Sequence, residues 1–125
     1  MLFRSYFFYK GEMEKALKTL QKVSFTDPYY QLDTRSMMLK IYFELNEYDV
    51  FFYHATAFLT YLRRNTKISE YQKTIYNNLV KFTSKIMRAG TETKRLKVLQ
   101  KQIEEVKQIA DINWLRKKVE QKILA

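Results

Sequence analysis

The sequence predicts an all-α chain of about seven helices paired as antiparallel hairpins. Three observations carry this expectation. Two Gly and one Pro in 125 residues are too few for a sandwich, a barrel or a phosphate-cradling loop, all of which need such residues at many tight turns. Apolar residues recur at three- and four-residue spacings along most of the chain, the period of a buried helix face. A hydrophobic content of 46%, with 16% aromatic residues, is too high for a disordered chain.

The elements follow in order. Phe3, Tyr6 and Phe7 form a first stripe, and Met13, Ala16, Leu17, Leu20 and Val23 a second. Gly11 between them predicts a turn, hence a helical hairpin with Ala16 where two helices approach closely. Asp27-Pro28 opens the next helix: Asp supplies an N-cap oxygen, and Pro fits the first helical position, whose N–H would be unsatisfied anyway. Met38, Ile41, Tyr42 and Leu45 carry that helix to Asn46-Glu47. There a new helix begins, with Phe51, Ala55, Phe58, Leu59 and Leu62 on one side. Asn65-Thr66-Lys67 reads as a loop, and Ser69 with Gln72 three residues on has capping-box form. The helix starting there shows a stripe of Ile75, Leu79, Phe82 and Ile86 and ends at Gly90, a residue suited to a left-handed terminus. Leu96, Leu99, Ile103, Val106 and Ile109 make a sixth helix. Asp111 or Asn113 caps a seventh carrying Trp114, Leu115, Val119 and Ile123, suited to cover the last apolar face.

Length and charge bound the rest. One domain is the natural expectation for 125 residues, and a chain that opens in mid-helix is expected to be a piece of a longer one. The absence of Cys and the single His exclude thiolate chemistry, disulfides, Cys-zinc sites and two-His metal sites, so no metal or cofactor is expected. Met1 leads into Leu2-Phe3-Arg4-Ser5 without the pattern of an export signal. The most apolar run, Val50 to Leu62, has 13 residues against the roughly 20 of a membrane span. The expectation is a cytoplasmic chain with no membrane span. Residues 1–60 hold seven basic and seven acidic residues, whereas residues 61–125 hold 16 basic and six acidic, the whole net charge of +10. Such asymmetry fits an anionic partner and equally the solvated faces of ordinary helices.

Aligned on their turns, Phe7 to Gly11 matches Tyr42 to Asn46, and Ala16, Leu20 and Val23 fall on Phe51, Ala55 and Phe58, an offset of 35 residues. Tyr9-x-Gly11 with Glu14, Ala16, Leu20 and Asp27-Pro28 thus resembles a tetratricopeptide repeat, whose period is near 34 residues with two helices per unit. The run from Ala16 through Asp27-Pro28 to Tyr30, with Lys40-Ile-Tyr-Phe-Glu-Leu-Asn-Glu-Tyr48, is similar to repeat proteins of the Bacteroidetes type. Residues 1–64 carry two units, and residues 65–125 read as a divergent repeat plus a capping helix. Phe51 in place of a small residue, Leu39 at a helix contact and Arg63 instead of a closing proline depart from the pattern. The resemblance implies a short right-handed solenoid that serves as a partner-binding surface.

Catalysis has little material. His54 lies in an apolar helix, where a lone imidazole is expected to be a hydrogen-bonded packing residue. Glu12/Glu14 and Glu104/Glu105 diverge around their helices instead of converging on a substrate. No HExxH, P-loop, GxGxxG or Ser-His-Asp order occurs, and the expectation is a non-enzyme. The polar pattern singled out is Lys73, Asn77, Lys81 and Lys85, spaced by four on one helix, with Arg35 and Lys40 on an earlier helix as weaker companions. In tetratricopeptide folds the first helix of each unit lines the groove. The resemblance therefore implies that this stripe holds an acidic peptide through charge-assisted and amide hydrogen bonds, although the same spacing suits a solvated helix back. The functional expectation is a protein-interaction scaffold, with a basic nucleic-acid or anionic-surface binder as the alternative. Nucleic-acid binding is expected to be weak and salt-sensitive, and the short first helix leaves a face suited to a weak homodimer.

Overall fold

The structure, a computed structural model, describes residues 6–22 and 27–125; the side chains of residues 6–9 and 20–22 lie outside that description. The described residues form six helices and no strand: α1 Tyr6–Lys22, α2 Pro28–Glu44, α3 Tyr48–Arg64, α4 Glu70–Ala89, α5 Thr93–Val106 and α6 Ile112–Leu124. Among the described residues, no helix is long and apolar enough to cross a membrane.

The expected break at Gly11 is absent. α1 runs unbroken from Tyr6 to Lys22, so the described residues form six helices where the sequence suggested about seven. The pairing of Gly11 with Asn46 as equivalent turns therefore fails at its first member. Glycine in a helix interior costs only about 1 kcal/mol relative to alanine, too little to end a helix on its own. Ala16, expected at a tight helix approach, is half-exposed. Phe3 and Val23, and the side chains of Tyr6, Phe7 and Leu20, lie outside the described residues.

The helix ends further along show why these segments fold as they do. Asp27 caps α2, its carboxylate accepting from the Tyr29 N–H at 2.9 Å, with Pro28 at the first position. At the other end Asn46 takes φ +55°. The Asn46 N–H donates to the Phe43 carbonyl and the Glu47 N–H to the Tyr42 carbonyl, both at 3.1 Å, the paired bonds of a Schellman terminus. α4 starts with the Ser69 hydroxyl accepting from the Gln72 N–H at 3.1 Å. The reciprocal arm of that capping box is missing, because the Gln72 Oε1 is buried without a hydrogen-bond partner. Gly90 closes α4 at φ +59°. Asp111 is the N-cap residue of α6, the position expected of it, but it stands there at φ +53° and makes no side-chain capping bond, while Asn113 lies inside the helix.

The chain divides into two compact units, Met1–His54 and Ala55–Ala125, with the boundary inside α3. In the first unit α1 packs on α2. α2 is buried on more than the single stripe its sequence suggested: Leu32, Thr34, Ser36, Leu39, Ile41, Tyr42 and Phe43 are all covered. Phe43 meets Phe51 edge-on at 6.3 Å between centroids. Fully burying a side chain such as Phe51 contributes about 1.5–3 kcal/mol relative to exposure.

In the second unit α4 packs on α5 and α6, and α5 on α6; Phe58 of α3 meets Tyr76 of α4 at 6.3 Å. Leu79, Val80, Ile86, Leu96, Ile103, Leu115 and Val119 are fully enclosed. Two hydroxyls also enter this core without loss, since Thr83 donates to the Leu79 carbonyl and Ser84 to that of Val80, each at 2.7 Å. Ile109, expected on the sixth helix, lies instead in the loop after α5, buried there, while Val106 is exposed. That loop is fastened to α4. The Ala110 N–H donates to the Ile75 carbonyl at 3.0 Å, and the Asn78 side-chain amide donates to the Gln108 carbonyl at 2.9 Å. Lys107 at its start takes φ +62°, and the Gln108 N–H closes a γ-turn on the Val106 carbonyl at 2.7 Å.

Candidate functional site

Between Leu79 and Ala89 of α4, every position is buried except Lys81, Lys85 and Arg88. These exposed positions are all basic and stand in one row, because steps of four and three residues keep to one side of a helix. Glu70 in the first turn is the only acid on α4. The row from Lys81 to Arg88 rises about 10.5 Å at 1.5 Å per residue.

Sequence reasoning found part of this row. Steps of four drift by about 40° each around a helix of 3.6 residues per turn, so Lys73 stands about 120° round from Lys85. Lys73 and Asn77 are half-buried, whereas Lys81 and Lys85 are exposed. Arg88 was missed, although its place three residues after Lys85 and seven after Lys81 was a legible signal. Arg35 and Lys40 are half-buried on α2 and belong to the other compact unit. Arg35 is engaged locally, its Nε donating to the Gln31 Oε1 at 3.2 Å.

The electrostatics favour an anion along the row. Among the described residues the side-chain ammonium groups of Lys73 and Lys81 have no hydrogen-bond or ion-pair partner, and the Lys85 ammonium lies 5.6 Å from the centre of the Phe82 ring, a cation–π contact that leaves its charge without a counter-ion. Unit charges about 6 Å apart in water repel by about 0.7 kcal/mol per pair, a cost that a bound carboxylate relieves. The unit boundary sharpens the charge division too. Residues 55–60 carry no charge, so Ala55–Ala125 holds all 16 of the later basic residues with only six acids.

Other polar groups are already engaged. Arg116 makes a two-pronged bond to Glu104, Nε to Oε2 at 2.7 Å and a terminal nitrogen to Oε1 at 2.9 Å, and donates to the Asn113 Oδ1 at 2.9 Å. These bonds hold the Glu104 carboxyl below its ordinary range. The pair borders a cleft of about 240 Å³ between α5 and α6, with Ile103 and Val119 beneath it. His54 is buried, with its Nε2 2.8 Å from the Arg35 carbonyl and its ring 5.6 Å from that of Tyr42. That is the packing role expected of it. Among the described residues no three His, Asp or Glu side chains gather as a metal site. No protein-family model, curated protein or solved structure matches the chain.

Proposed function

We propose that the chain is a non-catalytic protein-interaction module that captures an acidic segment of a partner on the basic row of α4. One observation carries this reading: Lys81, Lys85 and Arg88 are the only exposed positions between Leu79 and Ala89. A helix covered on its other sides offers a rigid support for a binding row, since its side chains start from a fixed backbone. The concentration of charge in Ala55–Ala125 adds attraction at longer range and speeds encounter with an anionic partner. The α2–α3 turn at Asn46 and the α4–α5 turn at Gly90 support the tetratricopeptide-like reading, in which short helical hairpins stack as a right-handed solenoid and α6 closes the end.

The same charge excess favours a second reading, an anionic-surface or nucleic-acid binder. Titrating the protein with a short polyglutamate peptide and with oligothymidine at rising salt separates the two. The proposal expects peptide binding that the double change Lys81→Glu plus Lys85→Glu abolishes, with an unchanged melting temperature, because exposed single-charge changes alter stability by only tenths of a kcal/mol. It expects oligothymidine binding that disappears near physiological salt, as counterion release dictates. Oligothymidine bound tightly at that salt, or peptide binding indifferent to the double change, refutes it.

A further inference from the structure

We infer that the chain pairs with a second copy of itself along α3, the two helices running antiparallel. Asp49, Tyr53, Thr56, Thr60 and Arg63 follow one another at steps of four, three, four and three residues, a spacing that keeps to one side of a helix and forms the seam of paired helices. All are exposed except Thr60, which is half-buried, and Ala57 and Arg64 beside them are exposed as well. Tyr53 is 81% exposed, a large ring left open to contact. The row carries charge only at its ends, acid at one and base at the other. The side chains of Asp49, Arg63 and Arg64 have no hydrogen-bond or ion-pair partner among the described residues. A uniformly acidic or basic segment laid on this row gains at one end and is repelled at the other. A second α3 in the reverse direction matches both ends. Asp49 and Arg63 each lie seven residues from Thr56, about 10.5 Å along the axis, so Asp49 of each copy meets Arg63 and Arg64 of the other. Thr56 and Ala57, small enough for close approach, then stand at the two-fold axis, and Tyr53 of each copy lies beside Thr60 of the other. Parallel pairing sets acid on acid and base on base, which repel. A helical strip about 26 Å long and about 10–12 Å wide falls well short of the roughly 800 Å² per partner of a standard interface, so the pair is weak and depends on concentration.

Sedimentation velocity over a wide range of protein concentration tests the pairing, with circular dichroism verifying that each variant stays helical. The average mass of the parent protein should rise toward twice that of the chain. Asp49→Arg alone, and Arg63→Asp with Arg64→Asp, should each weaken self-association about ten-fold, as the loss of facing charge pairs in both halves of a symmetric contact requires. The second of these lowers the net positive charge, so a contact limited only by overall repulsion would strengthen instead. Mixing the two variants should restore pairing, because one row is then wholly basic and the other wholly acidic. Direction is read separately. The chain has no Cys, so single substitutions report one contact each: on mild oxidation Ala57→Cys, next to the two-fold axis, should form a disulfide-linked dimer, whereas Val50→Cys, whose counterpart lies at the far end of the other helix, should not. A parent that stays monomeric at every concentration overturns the inference. A dimer indifferent to the charge variants, or a mixture of them that does not pair, overturns the α3 row as its contact. Val50→Cys linking as readily as Ala57→Cys overturns the antiparallel direction.

Discussion

The single imidazole makes one measurement unusually clean. His54 is 8% exposed, and its Nε2 lies 2.8 Å from the Arg35 carbonyl, joining α3 to α2. Burial is the largest influence on its pKa and pulls it below the ordinary 6.5; the hydrogen bond to Arg35 acts the other way, and the Arg35 charge adds to the lowering. The folded protein therefore binds this proton more weakly than the unfolded chain does. Its contribution to stability is complete above pH 6.5 and is lost as pH falls through 6.5 toward the lowered folded value. One proton limits the slope to about 1.4 kcal/mol per pH unit. With no other His in the chain, and with the reference values of free carboxyl and α-amino groups, about 4 and about 8, outside the interval, the range from pH 7 to 5.5 is where His54 is read most directly. Urea unfolding across that interval should show the midpoint falling in the parent protein. In His54→Gln, whose amide can still donate to the Arg35 carbonyl, the midpoint should be lower at pH 7 from lost packing against Tyr42 but nearly constant with pH. A flat profile in the parent, or an equal slope in the variant, would refute the buried neutral imidazole.

Three further substitutions examine the fold. Gly11→Ala should raise stability by about 0.5–1 kcal/mol, because α1 is continuous there and an added Cβ meets nothing within 4 Å; a drop in the urea midpoint would restore the turn that the sequence suggested. Lys107→Gly should stabilise by up to about 1 kcal/mol, since a side chain at φ +62° costs about 1–2 kcal/mol and glycine's chain entropy returns only part of that; a lower midpoint would contradict the left-handed conformation. Asn78→Ala should lose about 1 kcal/mol with the bond to the Gln108 carbonyl, and an unchanged thermal midpoint would show that the loop is not held by it.

Helix termini were the most legible part of the sequence because their chemistry is local. Asp27-Pro28, Ser69 and Gly90 each act within a few residues, and each does in the structure what its type requires. Gly11 misled because its local preference is weak against the continuity around it. Tyr6 and Met13 stand seven residues apart, two helical turns, so the apolar row keeps its phase across the glycine and needs no break. The broad burial of α2 was hidden because Thr34 and Ser36 interrupt any apolar stripe, and their burial depends on neighbouring helices that no spacing reveals. At the site, Lys81 and Lys85 were visible as a four-residue repeat, yet the same rule drew in Lys73 and passed over Arg88, because a strict step of four winds around the helix. The positive φ values at Lys107 and Asp111 had no signal, since neither residue is the glycine such a conformation favours.

The fastening of the α5–α6 loop to α4 also shapes how this part of the molecule opens. Loop amides ordinarily exchange with solvent hydrogen quickly, through small fluctuations of their own segment. The Ala110 amide lies outside any helix, but it is 7% exposed and bonded to the Ile75 carbonyl, 35 positions earlier in the chain. To expose it, the loop must lift from the middle of α4, and Ile109 must leave its buried position with it. Deuterium uptake at this non-helical residue is thus tied to the joint opening of three helices, making it an internal gauge of whether α4, α5 and α6 come apart together or one at a time.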